Sequence, residues 1–263
     1  MEQNRKQELL RYLVEYLAAE RGEPGMPNAG ADELWHAFRA YVNTRPPVAP
    51  DQAFLAAQDE LLQGLIAEAG IATVDDAAPS PADGRLRLWR GDITTLAVDA
   101  IVNAANSQML GCWVPGHYCI DNAIHTFAGV QLRLECNDLM RAQGHEEPTA
   151  QAKITGAYNL PSHHVIHTVG PIASGHPTDH MRQQLADCYA NCLACAAAAS
   201  LRSIAFCCIS TGVFGFPQEE ACAIAVRTVG AWLDAHPDAS VQTVVFNVFG
   251  AADEALYRAQ LGL

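Results

Sequence analysis

Cys112, His117 and Cys119 fall in one stretch, NAANSQMLGCWVPGHYCIDNAIH, running from Asn103 to His125. Two thiols and an imidazole on a segment bearing Gly and Pro can converge on one ion, free of the constraints of a helix or strand. Zinc suits sulfur and nitrogen donors together. A structural zinc takes four protein ligands; three leave an open position for a water or a substrate oxygen. The other reading is two incidental cysteines beside a surface histidine. His125 is a further nitrogen, expected to pack inward beyond the first helical turn, DNAIH. Asp121 and Asn122 stand at the mouth of that helix, where a carboxylate either orients a water beside a metal or caps the helix. Asn103 and Asn106, just past a strand, address ribose hydroxyls or stabilise a turn.

Two more loops carry chemistry. In Gly91-Asp92-Ile93-Thr94 the aspartate either caps a helix or accepts from a ligand amine. In Ser210-Thr211-Gly212-Val213-Phe214-Gly215-Phe216-Pro217 two glycines permit close backbone approach, and the following helix start offers unpaired N–H groups to an anion. The alternative is a purely structural turn. An acidic chain can hold a diphosphate in this way without Lys or Arg.

The elements that must position these loops alternate. RLRLW and DAIVNAA are β-prone runs separated by GDITTLAV, and KITGAY pairs with HVIHTV through NLPSH. HMRQQLADCYANCLACAAAAS reads as a long helix, SIAFCCI as a buried strand and FPQEEACAIAVRTVGAWLDAH as the next helix, with Pro217 at its first position. TVVFNVF is a last strand before DEALYRAQL. Strands alternating with helices imply a layered α/β domain with a mixed sheet, whose ligands gather at the carboxyl ends of the strands. Residues 1–80 read as a helical extension. Leu9, Leu10, Leu13, Val14 and Leu17 recur at helical spacing, Asp32 is a candidate cap before ELWHAFRAYV, and a third helix starts near Asp51 and stops at Gly70. ATVDDAAPSPADG reads as a linker.

Composition bounds the function. Half of the 263 residues are hydrophobic and 17% are charged, enough to bury a sizeable core. A formal net charge of −13 argues against nucleic acid as a partner, since the phosphate backbone would be repelled. The sequence has neither the long apolar run of a membrane span nor the uninterrupted apolar core of a secretory signal, so no membrane association is expected. Nine cysteines without such a signal point to a reducing compartment, the cytoplasm. Cys188, Cys192 and Cys195 recur on one helix face and read as small core thiols.

Taken in order, GDIT, VDAIVNAAN, IDNAIH, LPSHHVIHTVGP and STGVFGFP resemble the motifs of macrodomains from about Arg85 to the C-terminus. That resemblance implies a three-layer α/β/α domain over residues 81–263 with a cleft for ADP-ribose. The loop GCWVPGHYCIDNAIH departs from the glycine run of ordinary macrodomain hydrolases. It is similar to the loop of bacterial zinc-containing macrodomains, several of which carry a helical N-terminal extension and are encoded beside a sirtuin-like ADP-ribosyltransferase. The resemblance implies a zinc ion on Cys112, His117 and Cys119. It also implies that Asp92 accepts the adenine amino group with Ile93 beside it, that Asn106 faces the distal ribose, and that Cys119, Ile120, Asp121 and Asn122 line the adjoining phosphate and ribose. Thr211, Gly212, Val213, Phe214 and Gly215 would wrap the diphosphate, and Phe249 either neighbours the adenine or packs in the core. The implied activity is zinc-dependent hydrolysis of mono-ADP-ribose from protein, through an ester to Asp or Glu, with Asp121 acting on the water and Asn106 fixing the ribose. Its partners are then ADP-ribosylated protein and free ADP-ribose. Rival readings are a module that only binds ADP-ribose, an O-acetyl-ADP-ribose deacetylase, and a purely structural zinc loop.

Overall fold

The structure, a computed structural model, describes residues 1–263. Three helices come first: α1 (Gln3–Arg21), α2 (Ala31–Thr44) and α3 (Gln52–Ala69). They bury Leu10, Leu13, Leu34, Phe38, Phe54 and Leu61 in a core of their own, each contributing about 1.5–3 kcal/mol. Helix α3 starts where expected, with the Asp51 carboxylate accepting from Phe54 N–H at 2.8 Å. The cap of helix α2 lies two residues before the expected one. Gly30 precedes the helix, its N–H donating to Glu33 Oε2 at 3.0 Å, while Asp32 sits in the first turn where the helix dipole favours an anion.

The segment read as a linker instead contributes strands. β1 (Ala72–Thr73) pairs in parallel with β4 (Leu96–Ala97), and β2 (Ala78–Pro79) lies antiparallel on β3 (Leu86–Arg90). Their two-residue length and the prolines around them hide the strand pattern. The remaining strands are β5 (Ala100–Ala105), β6 (Ala152–Gly156), β7 (His164–Val169), β8 (Ser203–Phe206) and β9 (Thr243–Val248). The main sheet runs β2-β3-β9-β8-β5-β7-β6, with β3, β9, β8, β5 and β7 parallel and the two edge strands antiparallel.

Helices α6 (Asp179–Ala198), α7 (Gln218–Ala235) and α8 (Ala251–Leu261) cover one face; α4 (Ile120–Ala128) and α5 (Val130–Gln143) cover the other. This is the expected α/β/α sandwich with a mixed central sheet. Cys188 and Cys192 are buried core thiols, as their spacing implies. Pro217 is the residue before α7 rather than its first helical position. No helix is long and apolar enough to cross a membrane.

The extension docks on the α4–α5 face. Phe127 packs against the small helical core and Val130 belongs to it. A polar seam accompanies them: Val130 N–H donates to Gln58 Oε1 at 3.0 Å, Asn159 Nδ2 to Asp59 Oδ1 at 2.7 Å, and Gln63 Nε2 to Asn159 Oδ1 at 3.0 Å.

Candidate active site

A cleft of about 520 Å³ opens at the carboxyl ends of β5, β8 and β9, where parallel strands place ligands. Its walls are the loop from Asn106 to Asp121 and the loop from Ser210 to Phe214, with Gly170, Asn247, Phe249 and Asp253 completing it.

The first wall leaves β5 and enters α4. Met109, Gly111 and Gly116 adopt positive φ there, of 62°, 82° and 65°. Gly111 is also needed for space, since a Cβ would meet the His125 ring at 2.8 Å. This path brings together one donor atom each from Cys112, His117 and Cys119, all within 4.8 Å of one another, with Cys112 Sγ and His117 Nδ1 at 3.5 Å. All three residues are half-buried and line the cleft. Two sulfurs and one imidazole nitrogen at that spacing are a donor set that fits a zinc ion. Burial pushes the Cys119 thiol up to about 12 in the absence of a cation. Its sulfur also caps α4, accepting from Asn122 N–H at 3.4 Å.

Asp121 is 5% exposed on the first turn of α4 and faces the cleft. Asn103 Nδ2 donates to its Oδ1 at 2.8 Å and Asn106 Nδ2 to its Oδ2 at 3.3 Å. Burial raises the carboxyl to about 6, against the lowering effect of Asn103, Arg133 and Asn106. Asn106 also ties the loop, donating to Gly111 O at 3.0 Å. Behind this pair lies a buried polar cluster. His125 packs inward as expected, its Nε2 3.6 Å from Asp121 Oδ1, and His167 joins Asn103 at 3.2 Å and Thr155 Oγ1 at 3.0 Å. Burial lowers both imidazoles, His167 to about 3, and keeps them neutral.

The second wall is the turn that follows β8. Ser210 takes a left-handed φ of 66°, and Thr211 Oγ1 anchors the turn on Cys208 O at 3.0 Å. Phe214 O accepts from Ala173 and Ser174 N–H at 2.8 and 3.0 Å, holding the loop from outside. The N–H groups of Gly212, Val213 and Phe214 find no acceptor in the protein, and neither do those of Ile120 and Asp121 across the cleft. Free amides on two walls of one cleft are groups able to receive an oxyanion. Gly215 and the start of α7 lie outside the lining, so the loop itself, rather than the helix end, presents the donors.

Asn106, Cys112, His117, Cys119, Ile120, Asp121, Thr211, Gly212, Val213, Phe214 and Phe249 all line the cleft. Phe249 is 78% exposed at its rim, not packed in the core. Asp92 caps a 3₁₀ turn, accepting from Thr94 N–H and Oγ1 at 2.9 and 2.7 Å, and Ile93 is buried. Asp92 faces a separate cavity of about 220 Å³ against the extension, beside Trp35 and Phe127. Asn122 is wholly buried, its amide engaged by Val114 O and by Arg39 from the extension.

Comparison with known proteins agrees with this geometry. Residues 102–225 match the macro domain family. A protein-ADP-ribose hydrolase of Treponema medium is 51% identical over 255 residues, covering 94% of this chain and 95% of its own length. The chain belongs to the macrodomain family of protein-ADP-ribose hydrolases. A Staphylococcus aureus protein-ADP-ribose hydrolase is 47% identical over 95% of this chain and 93% of its own length. A Trypanosoma brucei macrodomain solved in complex with ADP-ribose is 30% identical, with a TM-score of 0.65 over 85% of this chain and 95% of its own.

Two site residues escape sequence reasoning. Gly170 follows β7 where a Cβ would collide with Ser210 Oγ, and the GP step of HTVGP was its signal. Asn247 lines the cleft and donates to Gly91 O at 2.9 Å, tying the last strand to the Gly91 turn. It was hidden among the apolar residues of TVVFNVF.

Proposed function

We propose that this macrodomain hydrolase is zinc-dependent and removes mono-ADP-ribose from proteins modified at Asp or Glu. The supporting observation is the convergence of Cys112, His117 and Cys119 on the wall of the cleft that also holds Asp121 and the free loop amides. These three residues would hold the ion, and a zinc bound there supplies a Lewis acid at the distal-ribose end. Asn106 lines that end of the cleft and is assigned to fixing the ribose. Asp121, held through both carboxylate oxygens by Asn103 and Asn106, orients the attacking water and takes its proton. Gly212, Val213 and Phe214 present N–H groups to the diphosphate, with Thr211 and Gly215 shaping the turn; Ile120 and Asp121 approach it from the other side. Phe249 offers its exposed ring to the adenine. Asp92 caps its own turn and lines the separate cavity rather than the cleft, and Ile93 is buried, so neither is assigned to the adenine. The scissile bond joins ribose C1″ to the side-chain oxygen of the target.

The substrate must be made by a protein ADP-ribosyltransferase, and a sirtuin-like one encoded nearby is the proposed partner. The site of action is the reducing cytoplasm, where thiolate ligands stay available. Alanine at His117 or Cys119 is expected to lower zinc content and turnover together, while ADP-ribose binding is reduced far less. A His117→Ala protein that lacks zinc and still turns over at the full rate refutes the reading.

A further inference from the structure

The segment carrying Cys112, His117 and Cys119 has almost no structure of its own. Between Leu110 and Cys119 its one internal backbone hydrogen bond runs from His117 N–H to Val114 O at 3.2 Å, and two of its glycines sit at positive φ. Such a loop, left to itself, samples many conformations, and each residue ordered on binding an ion costs conformational entropy.

The loop is fastened instead from 70 and more residues away in sequence. Arg39, on α2 of the extension, donates through Nη2 to His117 O at 3.2 Å and to Asn122 Oδ1 at 3.0 Å. Its guanidinium lies over the Tyr118 ring, 5.3 Å from the centroid. One turn further on, Asn43 Oδ1 accepts from Gly116 N–H at 2.9 Å while its Nδ2 donates to Thr126 on α4 at 3.0 Å. Asn122, gripped by Arg39, passes the constraint on by donating to Val114 O at 3.2 Å. The backbone at 114, 116 and 117, midway between the two cysteines, is thus set by α2.

From this geometry we propose that Arg39 and Asn43 are positioning residues: the helical extension preorganises the Cys112, His117 and Cys119 donors. The inference rests on the zinc reading of those three residues. Arg39 carries it most cleanly, because its side chain bonds only to the loop and to Asn122, whereas Asn43 is buried and also ties α2 to α4.

The test is a competition titration of the full chain, zinc-loaded, against a chromophoric chelator, with the melting temperature of the zinc-free protein measured alongside. Variants are Arg39→Met, Arg39→Lys and, as a control removing the same charge from the extension far from the loop, Arg5→Met. Removing an outer contact of a metal ligand typically weakens metal binding about 10–100-fold. Arg39→Met is expected to lose zinc affinity in that range with the zinc-free melting temperature within about 2 °C of wild type. Arg39→Lys should fall between, and Arg5→Met should match wild type. A zinc-loaded wild type whose Arg39→Met variant holds zinc as tightly overturns the inference. So does an affinity loss accompanied by an equal loss of zinc-free stability, which marks Arg39 as ordinary packing. A wild type that binds no zinc overturns the metal reading itself and this inference with it, a result distinct from the other two.

Discussion

Replacing Arg133 with Met should loosen the joint between the extension and the sandwich more than any comparable surface change. The guanidinium is buried and has no carboxylate partner. Its Nε donates to Leu110 O at 2.6 Å, Nη1 to Val42 O and Arg45 O at 3.0 and 2.7 Å, and Nη2 to Asn43 O at 2.9 Å. Three of those carbonyls lie at the carboxyl end of α2, whose partial negative charge favours a cation. The Trp113 ring, 4.3 Å away, adds a cation–π contact. Burial lowers the guanidinium to about 10, still charged at neutral pH. Methionine matches the stem but leaves four carbonyls without a donor. Each buried unsatisfied carbonyl costs about 1–3 kcal/mol; allowing for water reaching the helix end, the net loss is about 3–5 kcal/mol. For a chain of this size that corresponds to roughly 10 °C in melting temperature. Urea titration followed by circular dichroism measures it. A change below about 1 kcal/mol would refute the claim that Arg133 joins the two parts.

Two further outcomes follow from the cluster beneath the cleft. His167 is held neutral with its pKa depressed to about 3 from 6.5, so the unfolded chain takes up a proton that the folded one refuses. Stability is full above about pH 6.5 and is lost as pH falls from there toward 3, by about 1.4 kcal/mol per pH unit for this residue. Denaturation midpoints at pH 7, 6 and 5 should therefore drop more steeply for wild type than for His167→Gln; equal slopes would contradict the assignment. Asp121→Ala should lower turnover by about 10²–10⁴-fold with little change in ADP-ribose affinity by calorimetry. Retained turnover would remove Asp121 from the chemistry.

What the sequence revealed depended on whether a signal was local. The Leu9–Leu17 periodicity, the Asp51 cap and the β-prone runs each follow from neighbouring residues, and each gave the expected element. The cleft loops were legible for the same reason, their glycines, asparagines, cysteines and histidine being close in the chain. Helix α5 was missed because its residues, VQLRLECNDLMRAQ, carry a weak apolar stripe; it buries Val130, Leu132, Arg133 and Cys136, one of them a charged group. The contacts from Arg39 to His117 and from Arg133 to Val42 span 78 and 91 residues, and no local pattern announces them. Asp92 illustrates the converse. Its capping role was legible and is what the structure holds, whereas its facing a cavity walled by the extension depended on how the helices dock.

The central claim is best tested by following release of ADP-ribose from a protein mono-ADP-ribosylated through Asp or Glu, with zinc content determined on the same samples as prepared, after chelation and after zinc is restored. Release is expected to rise and fall with zinc occupancy and to return when zinc is restored. Full release by the zinc-free protein would contradict that claim.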